Sequence, residues 1–246
     1  MLPQLPDGFT ALVTGASGGI GSALADALLA SPRLGRLHAV SRRPQRRDDP
    51  RWNPVRLDIT DPAALERLAD HLDGAPLHLM VNAVGMLHDE PAGIAPEKRL
   101  ADLDAAALAR LFHVNAATPA LLLKALEGSL KGRHPALIAS LSARVGSIGD
   151  NRLGGWYGYR ASKAAHNMLM KTAAVELRRL NPHATVVCLH PGTTDTALSH
   201  PFQARVPEGK LFSPDFVAER LLDVLGRRTP EDSGDFRDWD DMAIPW

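Results

Sequence analysis

A tyrosine and a lysine four residues apart have the clearest chemical potential in this sequence. Tyr159 and Lys163 fall in the predicted helix Tyr157–Leu180, and this spacing places both side chains on one helix face. Free tyrosine has a pKa of roughly 10, too high for easy proton exchange at neutral pH. A nearby ammonium group would lower that pKa, so that the pair could exchange a proton with a carbonyl or alcohol oxygen. An exposed Tyr/Lys pair without catalytic function is the alternative interpretation.

Two further polar residues are candidates for the same site. Ser142 closes the predicted strand Ala136–Leu141, where its hydroxyl is expected to hold a substrate oxygen. Asn115 lies in an apolar helical segment, and a buried amide must find hydrogen-bond partners. We expect it to bind a backbone carbonyl or a water that relays protons to Lys163. A hydrogen bond that only packs two helices is the alternative.

A glycine-rich turn stands near the start of the chain, between the predicted strand Phe9–Val13 and the predicted helix Gly19–Ala30. Glycine is needed where a backbone turns sharply and where a pyrophosphate must approach without a Cβ atom in the way. The helix N-terminus offers free N–H groups to that anion. The strand–turn–helix context favours a dinucleotide-binding motif over a purely structural turn. The expected cofactor contacts in this turn are Gly15, Ser17, Gly19, Ile20 and Gly21.

The end of the second predicted strand, Arg36–Ser41, indicates which dinucleotide is bound. An acidic residue there would hold the ribose 2′-hydroxyl of NAD, but this chain has Ser41 and Arg42. A hydroxyl and a guanidinium group suit a 2′-phosphate, which arginine binds through paired donors. The pattern therefore favours NADP(H) over NAD(H). A solvated basic patch that includes Arg46 and Arg47 is the alternative.

The next two predicted strands, Asn53–Leu57 and Leu77–Val81, also end in candidate cofactor contacts. Asp58 is expected to accept a hydrogen bond from the adenine amino group and Ile59 to pack on the ring, with helix-entry chemistry as the alternative. After the second of these strands, small side chains would let the backbone pass close to the cofactor, unless this is an ordinary strand-to-loop exit. The residues concerned there are Asn82, Ala83 and Val84.

The elements that must position these residues alternate between strand-like and helix-like patterns, which predicts an α/β fold with a parallel sheet. The length of 246 residues suits one large domain of this class. Two longer segments, 85–103 and 199–211, are either plain connectors or loops that cover a binding site. The remaining predicted elements are the helices Ala105–Asn115, Pro119–Gly128 and Phe212–Gly226 and the strands Thr185–His190 and Gly234–Trp239.

Composition and charge exclude several classes of function. The formal net charge is zero at pH 7, so electrostatics favours no nucleic-acid partner. Cys188 is the only cysteine, which excludes an intramolecular disulfide and a multi-cysteine zinc site, and the histidines show no metal-ligand spacing. The start of the chain has no signal-peptide pattern, and the apolar stretches fall short of the ~20 residues of a membrane helix. We therefore expect a cytoplasmic protein without membrane contact.

Taken together, the motifs resemble those of the classical short-chain dehydrogenase/reductase family over nearly the full length of the chain. The matching residues are Thr14-Gly15 with Gly19 and Gly21, Asn82-Ala83 with Gly85, Asn115, Ser142, Tyr159 with Lys163, and Pro191-Gly192 with the following Thr193-Thr194-Asp195-Thr196. Other stretches resemble the C-factor-like and sniffer-like carbonyl reductases of that family. They are Arg144–Asn151, Gly154–Tyr157, His190–Thr193, Pro201-Phe202 and Ile244–Trp246.

This resemblance implies a Rossmann-like, doubly wound parallel sheet flanked by helices, in a single domain over residues 1–246. It also implies a nicotinamide cofactor and a catalytic tetrad of Asn115, Ser142, Tyr159 and Lys163. Lys163 is then expected to bind the nicotinamide ribose as well. Contacts with the carboxamide or the phosphates are expected near the end of the sixth strand, at Pro191, Gly192, Thr194 and Thr196.

Two positions depart from the family pattern. The second of its usual paired asparagines is Ala83 here. The family usually has paired serines before a glycine, of which the second is catalytic, and the pair here reads Ser142-Ala143 before Gly146. An alignment without gaps places Ala143 at the catalytic position. We expect Ser142 to serve as the catalytic serine instead, and Ser147 is the second candidate.

The function expected from the sequence is NADP(H)-dependent interconversion of a small-molecule carbonyl and alcohol, with Tyr159 as acid/base. The alternative is an NADP(H)-binding sensor or signalling protein of the C-factor type with little turnover. We expect a homodimer or homotetramer, with Trp239 and Trp246 as candidate interface residues.

Overall fold

The computed structural model describes residues 1–246, and seven of its strands form one sheet. The chain has nine strands in all, which are β1 (Phe9–Thr14), β2 (Leu34–Ser41), β3 (Trp52–Arg56), β4 (Leu79–Asn82), β5 (Ala136–Leu141), β6 (Ala184–His190), β7 (Thr193–Thr194), β8 (Leu211–Phe212) and β9 (Asp235–Asp238). The order in the large sheet is β3-β2-β1-β4-β5-β6-β9, and every neighbouring pair is parallel. Strands β7 and β8 pair separately.

The chain has six α-helices, of which all but α3 pack on the two faces of this sheet. They are α1 (Gly19–Leu29), α2 (Pro62–Leu72), α3 (Ala105–Phe112), α4 (Thr118–Leu130), α5 (Tyr157–Leu180) and α6 (Pro214–Gly226). One core cluster packs α1 and α6 against the sheet, and a second packs α2, α4 and α5 against the opposite face. Adjacent strand residues such as Ile138 and Ala139 enter different clusters, because successive side chains point to opposite faces. The predicted doubly wound α/β fold is confirmed.

The predicted elements agree with the observed ones except near their ends. The bounds of β5 and α5 are as predicted, whereas β4 begins two residues later than expected, at Leu79. Asp61 caps α2 by accepting a hydrogen bond from Ala63 N, and Ser213 caps α6 through Phe216 N. These local signals depend on neighbouring residues only, so the sequence shows them directly.

The two helices predicted before β5 form one continuous run, Ala105–Leu130, interrupted by a π-turn at His113–Ala117. By length and composition this run is apolar enough to cross a membrane, with a mean hydropathy of 1.3 over its most apolar window, which differs from the sequence expectation. Leu122 and Leu126 in its second half are buried in a core cluster against the sheet. The apolar side of α4 is therefore accounted for by the core.

The topology brings the carboxyl ends of β1, β4 and β5 to one edge of the sheet. Strand β1 pairs with β2 on one side and with β4 on the other, so the chain crosses over between the two halves at β1. Open α/β sheets bind their ligands at such a switch point, outside the carboxyl ends of the strands. The glycine-rich turn after β1 lies at this point.

Candidate active site

The glycine-rich turn after β1 is shaped by close backbone contacts. Gly15 has a φ of 71°, and a Cβ atom there would lie 3.1 Å from the carbonyl oxygen of Ala83. A Cβ atom at Gly21 would lie 2.2 Å from the carbonyl oxygen of Gly15. The amides of Gly19, Ile20 and Gly21 donate to no backbone carbonyl. The turn therefore presents free donors at the start of α1, as an anion-binding turn requires.

A cavity of about 1060 Å³ runs along the carboxyl edge of the sheet, beside this turn. This volume lies at the upper end of the range for small-molecule sites. The predicted cofactor residues that line it are Gly15, Ser17, Ser41, Arg42, Asp58, Ile59, Ala83, Val84 and Thr196. The structure thus brings together predicted residues that lie at or after the ends of five different strands, β1, β2, β3, β4 and β7.

The end of the cavity after β2 and β3 carries donors without partners. The Ser41 hydroxyl is buried and has no hydrogen-bond partner, and Arg42 is exposed beside it. Burial opposes ionisation of Asp58, but hydrogen bonds from Thr60 and the charges of Arg42 and Arg110 hold the pKa of its carboxyl below the ordinary value. A hydroxyl and two guanidinium groups form a donor set that fits an anionic ligand.

Other predicted cofactor residues lie behind the wall of the cavity. The Asn82 side chain is fully buried and accepts from Thr14 Oγ1 at 2.7 Å, while its amide donates to Ser140 Oγ at 3.0 Å. Its Oδ1 atom also accepts from Val84 N at 3.3 Å. Asn82 therefore ties β1, β4 and β5 together and orients the chain that lines the cavity, and its amide does not reach the cavity itself.

The segment after β6 closes over the glycine-rich turn. Gly192, which follows Pro191, has a φ of 73°, and a Cβ atom there would lie 2.8 Å from the Phe212 ring. The methyl group of Thr196 would lie 2.6 Å from a Cβ atom at Gly19. The Thr194 hydroxyl is buried without a hydrogen-bond partner. This segment thus offers an unpaired donor and a close cover at the place where the sequence predicted cofactor contacts.

Tyr159 and Lys163 are both buried, at 8% and 3% exposure. The Lys163 Nζ atom lies 5.8 Å from the centroid of the Tyr159 ring and donates to the carbonyl oxygen of Leu141 at 2.9 Å. Burial raises the pKa of the Tyr159 phenol and lowers that of Lys163 to about 8. The lowering expected for the Tyr159 pKa is therefore not found, because burial disfavours the charged phenolate.

Asn115 lies in the π-turn between α3 and α4 and anchors the chain after β4. Its Oδ1 atom accepts from Met86 N at 2.8 Å, and its Nδ2 atom donates to Met86 O at 2.7 Å and to Ser162 Oγ at 3.0 Å. The expected bond to a backbone carbonyl is thus present. A Cβ atom at Gly85 would lie 3.4 Å from Lys163 Nζ and 3.7 Å from Asn115 Oδ1. Glycine at that position therefore lets both residues approach the same point.

His166 supports Asn115 from α5 and was missed by the sequence reasoning. Burial, with a smaller contribution from Lys163, lowers the pKa of His166 to about 3, so the ring is neutral. Its Nδ1 atom donates to the carbonyl oxygen of Asn115 at 3.0 Å. No sequence pattern signals this bond, because its two residues are 51 positions apart.

The structure does not bring Ser142 to Tyr159. The Ser142 hydroxyl donates to Asn167 Oδ1 at 2.6 Å, whereas Ala143 is buried in a cluster with Tyr159. The backbone is extended at Ala143, so adjacent side chains point in opposite directions. Ser147 is not a substitute, because its hydroxyl accepts from Asp150 N at 3.1 Å. The serine assignment is therefore corrected: the residue that packs beside Tyr159 has no hydroxyl.

The surroundings of Tyr159 are apolar and aromatic. Leu87, Trp156, Leu198 and Phe202 complete the cluster around it, and the Trp156 and Phe202 rings are 5.2 Å apart. Both long loops line the cavity, through Leu87–Pro91 from the first and His200-Pro201 from the second. The interpretation of these loops as covers of a site is therefore supported over that of plain connectors.

The two C-terminal tryptophans expected at an interface have partners within the chain. Trp239 packs on Phe212, with ring centroids 4.5 Å apart, and Trp246 stacks on Phe236 at 5.4 Å. Trp246 also fixes the segment after β5, since its carbonyl oxygen accepts from Gly149 N at 3.0 Å. These contacts cover part of each ring, but Trp246 remains 42% exposed, so an interface at this end of the chain stays a prediction.

A doubly wound sheet, an anion-binding glycine-rich turn and a buried tyrosine–lysine pair define a class of dinucleotide-dependent oxidoreductases. Comparison with known proteins gives the family. Residues 9–206 match the short chain dehydrogenase family, and the chain belongs to that family. The resemblance inferred from the sequence motifs is confirmed.

Individual relatives refine this assignment. The C-signal protein of Myxococcus xanthus is 36% identical over 148 residues, which are 60% of this chain and 83% of that protein. The NADPH-bound carbonyl reductase from chicken fatty liver has a TM-score of 0.85 at 27% identity, covering 100% of this chain and 96% of the other. Carbonyl reductase Sniffer of D. melanogaster shares the fold, with a TM-score of 0.81 at 21% identity over 96% and 99% of the two chains. The predicted resemblance to C-factor-like proteins is confirmed by the C-signal protein, whereas the likeness to Sniffer shows the shared fold.

Proposed function

We propose that this protein is an NADP(H)-dependent oxidoreductase that interconverts a carbonyl and an alcohol, with Tyr159 as the acid/base. The observation that carries the proposal is the buried Tyr159–Lys163 pair, which lies directly behind two residues that line the cavity, Gly85 and Leu87. A helix pair without catalytic function would be exposed to solvent, and this pair is not. Burial raises the pKa of the phenol, so Tyr159 carries the proton that carbonyl reduction requires, and perturbed ionisable groups of this kind are typical of active sites.

The choice of NADP(H) rests on the residues at the end of β2. Ser41 has a buried hydroxyl without a partner, and Arg42 lines the same end of the cavity. No acidic residue follows the strand there, so a ribose 2′-hydroxyl has no carboxylate to bind. The similar carbonyl reductase from chicken fatty liver was solved with NADPH bound. These observations favour a 2′-phosphorylated cofactor.

In carbonyl reduction, the bound cofactor supplies a hydride to the carbonyl carbon. Tyr159 donates its phenolic proton to the carbonyl oxygen, which becomes the alcohol hydroxyl, and the phenol is left as a phenolate. The ammonium group of Lys163, held by the Leu141 carbonyl oxygen at 2.9 Å, stabilises that phenolate until a proton from solvent restores it. Leu87, Trp156 and Phe202 exclude water from the transfer. Because Ala143 has no hydroxyl, Tyr159 is the donor to the substrate oxygen in this arrangement.

The proposal is tested by following NADPH oxidation with a panel of aldehydes, ketones and quinones. We expect turnover with members of the panel, and we expect Tyr159→Phe to lower kcat by roughly a hundredfold or more, the contribution of a general acid. Tyr157→Phe is the matched control, because Tyr157 is exposed and lies outside the cluster around Tyr159. Turnover that is insensitive to Tyr159→Phe would contradict the proposed mechanism.

A second candidate function is an NADP(H)-binding sensor with little turnover. Two observations favour it: Ala143 stands where the family has its catalytic serine, and the chain is similar to the C-signal protein. Tight NADPH binding without oxidation by any member of the panel, in the wild-type protein and in Tyr159→Phe alike, would support the sensor over the reductase.

A further inference from the structure

Glu97 is a charged residue buried in the loop between β4 and α3, with 4% of its surface exposed. Burying a carboxylate is unfavourable unless hydrogen bonds compensate for the lost water. The partners of Glu97 therefore indicate its role, and they lie on another element, at the start of α5.

Glu97 holds two backbone amides at the beginning of that helix. Its Oε2 atom accepts a hydrogen bond from Gly158 N at 3.1 Å, and its main-chain carbonyl accepts one from Trp156 N. Its Oε1 atom has no hydrogen-bond partner. A Cβ atom at position 158 would lie 2.7 Å from Oε1, so glycine is what allows the carboxylate to come this close to the helix.

Helix α5 begins without a cap of its own. Its N-cap residue, Trp156, has a left-handed φ of 52° and makes no side-chain capping bond. The first N–H groups of a helix lack intrahelical acceptors and carry a partial positive charge. A carboxylate from a distant loop meets both requirements, so Glu97 does for α5 what Asp61 and Ser213 do locally for α2 and α6.

The two amides held by Glu97, those of Trp156 and Gly158, both lie in the three residues that precede Tyr159. Gly158 immediately precedes Tyr159, and the Trp156 ring packs edge-on against the Tyr159 ring, with centroids 6.2 Å apart. We propose that Glu97 is a positioning residue that fixes Tyr159 and Trp156 toward the substrate, an inference that rests on the function proposed above. The same bonds fasten the loop that carries Leu87 into the cavity to the catalytic helix.

Two substitutions separate this role from a general effect on folding. Glu97→Ala removes the cap, whereas Glu97→Gln keeps an acceptor for Gly158 N. Asp102→Asn is the matched control, because Asp102 is an exposed carboxylate of the same loop that pairs with Arg99. With benzaldehyde and saturating NADPH, we expect Glu97→Ala to lower kcat roughly ten- to hundredfold, since a displaced acid loses its alignment with the carbonyl.

The other kinetic quantities are expected to stay close to those of the wild type. KM for benzaldehyde and Kd for NADPH change by about twofold or less in Glu97→Ala, because the cofactor contacts are made elsewhere. Glu97→Gln and Asp102→Asn keep kcat within about threefold. This separation of kcat from the binding constants distinguishes positioning from a loss of structure.

A second measurement does not depend on turnover. The chain has two tyrosines, so the Tyr157→Phe background leaves Tyr159 as the only one. With isotope-labelled tyrosine, the single ring signal in NMR spectra then reports on Tyr159 alone. We expect Glu97→Ala to shift or double this signal and Asp102→Asn to leave it unchanged.

Three results would overturn the proposal: an unchanged kcat or ring signal in Glu97→Ala, a Glu97→Gln variant as slow as Glu97→Ala, or a parallel loss of kcat and NADPH affinity. If the wild-type protein reduces no carbonyl compound, the proposed function fails by itself. The ring signal then still decides whether Glu97 positions Tyr159.

Discussion

The two ends of the cavity are built in different ways. The predicted cofactor residues that line the cofactor end stand within three positions of a strand end, such as Gly15 after β1, Ser41 in β2 and Asp58 after β3. At the substrate end, Leu87 and Leu198 line the cavity, and the cluster behind them gathers Ala143 and Phe202 from segments far apart in the chain. Backbone geometry therefore determines the first end, while side-chain packing between distant segments determines the second.

This difference affects how each end tolerates change. At the cofactor end, an added methyl group meets backbone atoms, which cannot move without altering the strand and the helix on either side. At the substrate end, the position next to Tyr159 holds an alanine in place of the family's serine, and the cluster is packed around it. We therefore expect substitutions at the cofactor end to have the larger effects.

The strongest test of the cofactor end is Gly21→Ala. Its Cβ atom would lie 2.2 Å from the Gly15 carbonyl oxygen, so the turn must open, and the N–H groups proposed to bind the pyrophosphate would move away. We expect the Kd of NADPH to rise about a hundredfold, the loss of one or two charge-assisted hydrogen bonds. Fluorescence titration of the variant with NADPH measures this change.

Gly128→Ala is the matched control for that substitution. Gly128 also lies in a helix, α4, but the nearest atom to its added Cβ would be 4.0 Å away. We expect Gly128→Ala to raise the free energy of unfolding by about 0.5–1 kcal/mol and to leave the Kd of NADPH unchanged. Wild-type affinity in Gly21→Ala would show that the turn is less constrained than its contacts indicate.

The pKa of Lys163 is expected to set the upper pH limit for carbonyl reduction at the substrate end. Burial lowers the pKa of its ammonium group to about 8, so the charge that stabilises a Tyr159 phenolate is present below this pH and lost above it. We expect kcat/KM for carbonyl reduction to be constant at lower pH and to fall about tenfold per pH unit above the pKa. A pH–rate profile, with the Kd of NADPH measured at each pH, checks this; a flat profile to about pH 10 would contradict the role of Lys163.

Arg42→Ala tests the choice of cofactor. Loss of a guanidinium group at the end of β2 removes charge-assisted hydrogen bonds to a 2′-phosphate, so we expect kcat/KM for NADPH to fall roughly ten- to hundredfold. The value for NADH should stay within about twofold. Arg46→Ala is the control for a solvated basic patch, because Arg46 is exposed and does not line the cavity. Equal losses in the two variants would favour the patch.

The smallest effect is expected at the position beside Tyr159. Ala143→Ser introduces a second donor near the substrate oxygen, and we expect kcat to rise severalfold, less than the hundredfold or so that an established donor contributes. Ser142→Ala should leave kcat unchanged and lower stability by about 1 kcal/mol, because it removes the bond to Asn167. Steady-state rates and thermal unfolding measure both; a large loss of kcat in Ser142→Ala would restore the serine assignment.

Most of the fold and the cofactor end could be predicted from the sequence. The strand–turn–helix context of Gly15–Gly21 and the alternation of strands and helices are short-range patterns. The order of the motifs also identified the family. The sequence did not predict the direction of single side chains, as for Ser142 and Asn82. Neighbouring residues of an extended strand point to opposite faces, so an error of one position in the predicted alignment reverses the expected direction of the side chain.

The sequence by itself determined that a tyrosine and a lysine share one face of α5 and that a glycine-rich turn follows β1, since both are fixed by helix period and local turn chemistry. Only the tertiary structure decided that burial raises the pKa of Tyr159, that Ala143 packs beside it, and that Glu97 caps its helix. These features depend on segments brought together by folding. Burial and contacts between distant residues are properties of the packed chain, and no spacing along the sequence encodes them.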